Sequence, residues 1–297
     1  MDNRVGVLVT GATGFVGRNL CKHLVTCSKF EVRGTTRSLN FEDPTVNVVV
    51  HLAAKAHVEL SDSDEQLESI REVNVAGAVN LAVQAAQAGV KRFIFISSIG
   101  VNGQSSHQPI VVSDRVAPFS HYAQSKWEAE QGLIRIGEVT GMEIVIIRPP
   151  LVYGIGAPGN FRRLVKLVES GLPLPLASVR NKRTMVSIDN LVSLIELCID
   201  HPSAANRVFL AGDGEDVSTP ELLRLVAGAM GKPSRLVSVP PWILRLTLTL
   251  IGKKKLADKL MNSLQIDISS TREVLGWSPA LSVREGLKRC FMDGEVK

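Results

Sequence analysis

An apolar, β-branched run near the start of the chain, Val5–Val9, leads directly into Gly11-Ala12-Thr13-Gly14-Phe15-Val16-Gly17 and then into a helical pattern over Gly17–Thr26. Glycines at this spacing permit a tight turn. They also let a pyrophosphate approach backbone N–H groups at a helix N-terminus, where the helix dipole favours an anion. A strand–turn–helix unit of this kind needs a sheet to carry it. Further apolar runs occur at Glu31–Thr35, Val46–Leu52, Arg92–Ser97 and Glu143–Ile147, with helical patterns at Gln66–Ala88 and His121–Thr140. Near-continuous apolar strands suit a parallel sheet covered on both faces. The alternation predicts an α/β fold with a Rossmann-type doubly wound parallel sheet.

After Pro149-Pro150 the character changes: Gly and Pro are frequent between Gly154 and Pro175, and elements shorten. The expected division is a dinucleotide-binding domain over residues 1–152 and a smaller C-terminal α/β substrate-binding region over 153–297, with some segments returning to the sheet. Thr219 before Pro220 predicts a helix start, and Ser270 with Glu273 a capping box. The apolar stretch Pro241–Ile251, followed by Lys253-Lys254-Lys255, reads as a packed helix of the smaller region rather than a membrane-surface helix.

Only eight residues separate Arg37 from Val46, too few for a third strand and its crossover helix. Either the sheet lacks that strand or a segment is missing from the sequence there. The second is expected, since losing an interior strand would open the sheet beside the ligand.

Net charge is +5, from 34 basic and 29 acidic residues spread along the 297-residue chain, with one dense basic run at Lys253–Lys255. That does not look like a nucleic-acid stripe; an anionic small substrate suits the excess better. Cys21, Cys27, Cys198 and Cys290 form no CxxC pair or His/Cys cluster, so no metal is expected and free thiols in a reducing compartment are. Without a signal-like N-terminus or a membrane-length apolar segment, the expectation is a cytoplasmic protein with no membrane insertion.

Three further groups carry chemistry. The second strand ends in Thr35-Thr36-Arg37-Ser38; an acid there would hold the ribose hydroxyls of NAD, whereas Arg37 suits the 2′-phosphate of NADP, which is slightly favoured. Tyr122 and Lys126 stand four apart, on one face of a helix. A nearby ammonium, and the positive nicotinamide ring of an oxidised cofactor, favour the phenolate of a tyrosine whose ordinary pKa is about 10, making it an acid/base at neutral pH. Ser97-Ser98 end the preceding strand at the edge where such sheets bind ligands.

These motifs, in this order, resemble the extended branch of the short-chain dehydrogenase/reductase family. The likeness runs through His51-Leu52-Ala53-Ala54, Asn74 in Val73-Asn-Val-Ala-Gly77, Phe95-Ile-Ser-Ser98, Tyr122/Lys126 and Arg148-Pro-Pro-Leu-Val-Tyr-Gly154 to Asp267–Pro279. It implies Ser98, Tyr122 and Lys126 as catalytic. It implies a cofactor, NADP or NAD, held by Gly11, Thr13, Gly14, Phe15, Val16, Gly17, Arg37, Leu52, Ala53, Ala54, Asn74 and Pro149, together with Tyr122 and Lys126. Ser98, Asn160 and Arg183 match substrate contacts, the last two to the diphosphate of a UDP-sugar, and the family's habit implies a homodimer. The activity implied is hydride transfer at C4, as a 4-epimerase or a 4-keto reductase of the kind found in surface-polysaccharide synthesis. Arg37, Asn102 in place of a tyrosine, and Leu264 or Gln265 in place of a late aromatic lean towards the reductase. A reductase of a non-nucleotide carbonyl and a non-catalytic dinucleotide-binding module are the alternatives; the intact Ser/Tyr/Lys set speaks against the second.

Overall fold

The computed structural model describes residues 4–35, 45–55 and 64–292. In chain order the elements are β1 (Val5–Thr10), α1 (Phe15–Thr26), β2 (Phe30–Thr35), β3 (Val46–His51), α2 (Asp64–Arg71), α3 (Gly77–Gln87), β4 (Arg92–Ile96), α4 (His121–Thr140) and β5 (Glu143–Arg148). Then come β6 (Leu151–Tyr153), α5 (Asn160–Glu169), β7 (Arg183–Ser187), α6 (Ile188–Asp200), β8 (Arg207–Leu210), β9 (Asp216–Val217) and α7 (Thr219–Ala229). Four more helices follow: α8 (Pro241–Leu250), α9 (Lys254–Met261), α10 (Ser269–Leu275) and α11 (Val283–Met292).

Six strands form one sheet in the order β2-β1-β3-β4-β5-β8, and every pairing in it is parallel. Successive side chains on a strand point to opposite faces, and both faces here are covered. Ile94 and Ile96 of β4 pack with Leu20 and Leu24 of α1 and Leu191 and Ile195 of α6. Phe93 and Phe95 pack on the other face with Ala78 and Ala82 of α3 and Ala129 and Leu133 of α4. This is why the strands read as unbroken apolar runs. β8 and α6, which lie beyond residue 152, belong to this sheet layer.

A second, three-stranded sheet runs β6-β7-β9, with a core of Tyr153, Phe161, Val165, Met185, Leu223 and Leu287. Asp213 ties it together: its carboxylate accepts from Tyr153 Oη at 2.7 Å, from the Ser187 N–H and from Asn190 Nδ2 at 2.7 Å.

The strand order corrects the premise that a strand after β2 would be interior. β2 and β3 flank β1 on its two sides, so the sheet is continuous there. A strand after β2 would stand outside it, at the sheet's edge. Residues 36–44, Arg37 included, lie outside the described residues.

Several local signals were displaced. The helix expected over Gln66–Ala88 is interrupted by a π-helical turn at Glu72–Ala76. α7 is capped by Ser218, not Thr219, with Glu221 completing a capping box. The Ser270/Glu273 box does not form: α10 starts at Ser269, and the Asp267 carboxylate accepts from the Ser269 N–H at 2.7 Å instead. A short carboxylate two residues upstream reaches that donor first. α8, expected to be packed, has no fully buried residue.

Gly11 has φ +67°, the left-handed region, and a Cβ on Gly17 would stand 2.2 Å from the Gly11 carbonyl oxygen. The start of α1 is thus pressed onto the turn. Gly17→Ala is expected to lower stability by about 1–3 kcal/mol, the range for over-packed sites, and to weaken dinucleotide binding. Denaturant unfolding checks it, and an unchanged midpoint would show that the turn can relax.

Candidate active site

The carboxyl ends of β1, β3, β4 and β5 gather the residues singled out in the sequence. Gly14 precedes α1 with no side-chain cap, and among the described residues the N–H groups of Phe15, Val16 and Gly17 have no hydrogen-bond partner. Thr13 and Gly14 are exposed, while Phe15 and Val16 are half-buried. Leu52 and Ala53 lie against the turn: their N–H groups donate to the Thr10 carbonyl and hydroxyl, and a Cβ on Gly11 would meet Ala53 N at 2.8 Å. The half-buried Ala54 continues this wall. His51 Nε2 and Ser97 Oγ, at the ends of β3 and β4, are buried without a partner among the described residues. Uncapped donors, a backbone cradle with no room for a Cβ and orphaned polar atoms at strand ends fit a dinucleotide.

Asn74 is fully buried in the π turn, a feature frequent at functional sites. Its Oδ1 accepts from the Lys55 N–H at 2.7 Å and its Nδ2 donates to Ser125 Oγ at 3.0 Å. It therefore braces the 53–55 backbone against α4. Pro149 is buried, and its carbonyl accepts from the Ile99 N–H at 3.0 Å.

Ser98 follows β4 and caps a short 3₁₀ turn over Ile99–Val101, its Oγ accepting from the Gly100 N–H at 3.1 Å. That bond occupies an acceptor site and leaves the O–H to donate elsewhere. Tyr122 lies in the first turn of α4, whose N-cap Ser120 accepts from the Ala123 N–H. The Tyr122 hydroxyl has no partner among the described residues.

Lys126 is buried one turn on. Its Nζ sits 4.2 Å from the Phe95 ring centroid and 6.0 Å from that of Tyr122. Burial pushes the Tyr122 phenol up to about 12 and holds the Lys126 ammonium down to about 7, with Glu130 pulling the latter back up. Among the described residues, burial outweighs the help that Lys126 was expected to give the phenolate; the other expected source of positive charge, an oxidised nicotinamide ring, comes only with the cofactor. A positive charge brought in with a ligand is needed to reverse the balance.

Behind this pair lies a group that the sequence reading missed. Arg148 donates to both carboxylate oxygens of Glu130, at 3.0 and 2.5 Å, and to Asn102 Oδ1 at 3.1 Å. Its guanidinium also lies 5.8 Å from the Trp127 ring centroid. The four-residue step from Lys126 to Glu130 was the available signal.

Arg183 opens β7, and its Nη1 donates to the Lys259 and Asn262 carbonyls, each at 3.1 Å. No carboxylate pairs with it among the described residues, and burial lowers its pKa. Asn160 is exposed in the first turn of α5, and no hydrogen bond joins it to Arg183. Sequence reading found no His/Cys cluster, yet α6 brings Glu196 to His23 of α1 and to Cys27 just after it, with ligand atoms within 4.8 Å. Burial, and then the Glu196 charge, push the Cys27 thiol up, against the thiolate that a soft metal requires.

Sheet order, glycine turn and the Ser–Tyr–Lys set together define a member of the extended short-chain dehydrogenase/reductase class. More particularly, the chain belongs to the NAD dependent epimerase/dehydratase family, whose profile matches residues 7–212. It is 48% identical over 306 residues to a UDP-glucose 4-epimerase of Vibrio cholerae, covering 95% of this chain and 93% of that protein. Those 306 positions exceed the 297 residues here, so the alignment opens gaps in this chain. An N-acetyl-alpha-D-glucosaminyl-diphospho-ditrans,octacis-undecaprenol 4-epimerase of Escherichia coli O157:H7 is 27% identical, over 76% of this chain and 72% of its own length. The fold superposes on a UDP-N-acetylglucosamine 4-epimerase from Bacillus cereus with a TM-score of 0.78 at 18% identity, covering 96% of this chain and 98% of that one.

The Lys126 environment sets a pH dependence. In the unfolded chain the amine keeps its proton up to its ordinary 10.5, while in the fold it loses it near 7. The unfolded state therefore binds more protons between these values, and the folding penalty attached to Lys126 shrinks as pH rises through that window. Without cofactor, Lys126→Met is expected to be more stable than wild type by a few kcal/mol at pH 7, the gap closing towards pH 10.5. Unfolding curves across that range check this; a gap independent of pH would refute it.

Proposed function

We propose that the protein interconverts the C4 epimers of a UDP-linked hexose or N-acetylhexosamine, using a nicotinamide dinucleotide held by the turn at Gly11–Gly17. The observation that carries this reading is the disposition of Ser98 and Tyr122: two hydroxyls at the sheet's ligand-binding edge, one with its donor left over and one unpartnered. The cofactor, once bound, supplies hydride acceptance and return at C4. The rest falls to this chain's residues. Ser98 donates to the C4 oxygen and holds it in place. Tyr122 takes the hydroxyl proton as the alcohol is oxidised and gives it back on reduction. Lys126, buried beside it, offers a donor to the cofactor's ribose and, in its protonated form, positive charge next to Tyr122.

Arg183 supports the nucleotide part of the proposal. A half-buried guanidinium held only by carbonyls keeps its charge uncompensated, and a diphosphate can meet it bidentately. Asn160 is proposed as a further contact to that diphosphate. The E. coli relative's name carries a sugar on a diphosphate joined to undecaprenol, so this element of recognition suits either carrier. The 48% identity to a UDP-glucose 4-epimerase favours uridine and epimerisation. Among the features that leaned towards a reductase, Asn102 has a structural account, since it accepts from Arg148. The choice between NAD and NADP rests on Arg37. A homodimer through the helices of residues 66–88 and 121–140 belongs to this proposal by family resemblance. So does a cytoplasmic setting, which the four free cysteines suit.

Purified protein incubated with UDP-glucose or UDP-N-acetylglucosamine is expected to give the galacto epimer, followed by NMR, without added reductant. Loss of NADPH with a 4-keto-sugar and no epimerisation would overturn the reading in favour of a reductase. Tyr122→Phe is expected to lower kcat by about 10²–10⁴-fold while bound dinucleotide, measured after denaturation, stays at the wild-type level. A variant within a few-fold of wild type would remove Tyr122 from the chemistry.

A further inference from the structure

We propose that α8 and the lysines that follow it dock the protein on an anionic phospholipid bilayer. The proposal goes beyond the catalytic reading and does not depend on it. α8 is apolar on two opposite faces. Leu244 and Leu248, one turn apart, are half-buried, and Leu244 packs against the core beneath the three-stranded sheet. On the other side, Trp242, Leu246 and Leu250 form a stripe at four-residue spacing and are 67%, 53% and 78% exposed. Ile251 and Leu256 extend this apolar surface into the next turn and α9. A helix already anchored on one face has no folding reason to carry a second apolar face in water.

Charge identifies what covers it. Residues 232–262 hold seven lysines and arginines and one acid, Asp258, a net +6 against +5 for the entire chain. The basic excess of the protein is therefore concentrated here, although charged residues occur throughout. Lys253, Lys254 and Lys255 are all exposed directly after the apolar stripe. A second copy of this chain would bring the same positive stretch, whereas an anionic lipid surface complements it. An indole beside leucines with lysines at the rim suits the headgroup boundary, the geometry of a helix lying in the interface plane. No helix among the described residues is long and apolar enough to cross a membrane, so the contact is a surface one.

The test is sedimentation of the full chain with vesicles of phosphatidylcholine alone or mixed with phosphatidylglycerol. Binding is expected only with phosphatidylglycerol, weakening as salt is raised. Trp242 emission should shift to the blue on binding; Trp277 is buried and Trp127 half-buried, so the exposed indole is the reporter. Leu246→Glu, and separately Lys253→Gln with Lys254→Gln, should each lower partitioning by about tenfold or more with thermal unfolding unchanged. Equal partitioning into both vesicles, or none, overturns the proposal. A dimer seen by light scattering that Leu246→Glu dissociates, without vesicle binding, would assign the face to a second copy instead.

Discussion

Glu130 and Arg148 have almost no solvent contact, with side chains 0% and 4% exposed, and they meet through two parallel N–H···O bonds. Such a pair contributes little net stability over an apolar equivalent, but leaving one member alone costs about 3–5 kcal/mol. The contact therefore fixes the position of α4 against the end of β5. Tyr122, Lys126 and Glu130 follow one another at four-residue steps, so fixing the last aligns the other two. Arg148 also reaches Asn102, just past the turn that Ser98 caps. One buried charge pair thus coordinates the three groups proposed to act on substrate, and the Glu130 carboxylate offsets part of the desolvation that Lys126 suffers.

The large sheet was legible because strands covered on both faces must be apolar along their whole length, and its five N-terminal strands fall within a residue or so of the runs that predicted them. α4 begins at the expected residue because Ser120 provides a cap. What escaped reading depended on tertiary neighbours. Whether a strand after β2 would be interior depends on strand order, which no local pattern encodes. The failed cap at Ser270 reflects competition from Asp267, and the unpartnered stripe of α8 cannot be told from a packed one by periodicity. The residues proposed as catalytic could be named from motifs. The effect of burial on their electrostatics could not, because it depends on what packs around them in the fold.

The two sheets divide the work between them. The parallel one presents backbone donors and rigid hydroxyls at strand ends, where a small geometric error would matter most. The three-stranded one presents Arg183 from the start of β7, on a strand also held by Asp213 through the Ser187 N–H. Because Asp213 joins β6, β7 and α6 by hydrogen bonds from Tyr153, Ser187 and Asn190, the three-stranded sheet is anchored to the helix that covers the large sheet.

The pairing of β8 with β5 has a consequence for biogenesis. β5 is complete at Arg148, but its outer partner, β8, starts only at Arg207. During synthesis, the chain that carries the whole glycine turn and Tyr122 therefore emerges with the apolar edge of β5 still open. That edge stays open until the second half has threaded back. Chains ending in this interval carry an unpaired edge of the kind that templates strand addition.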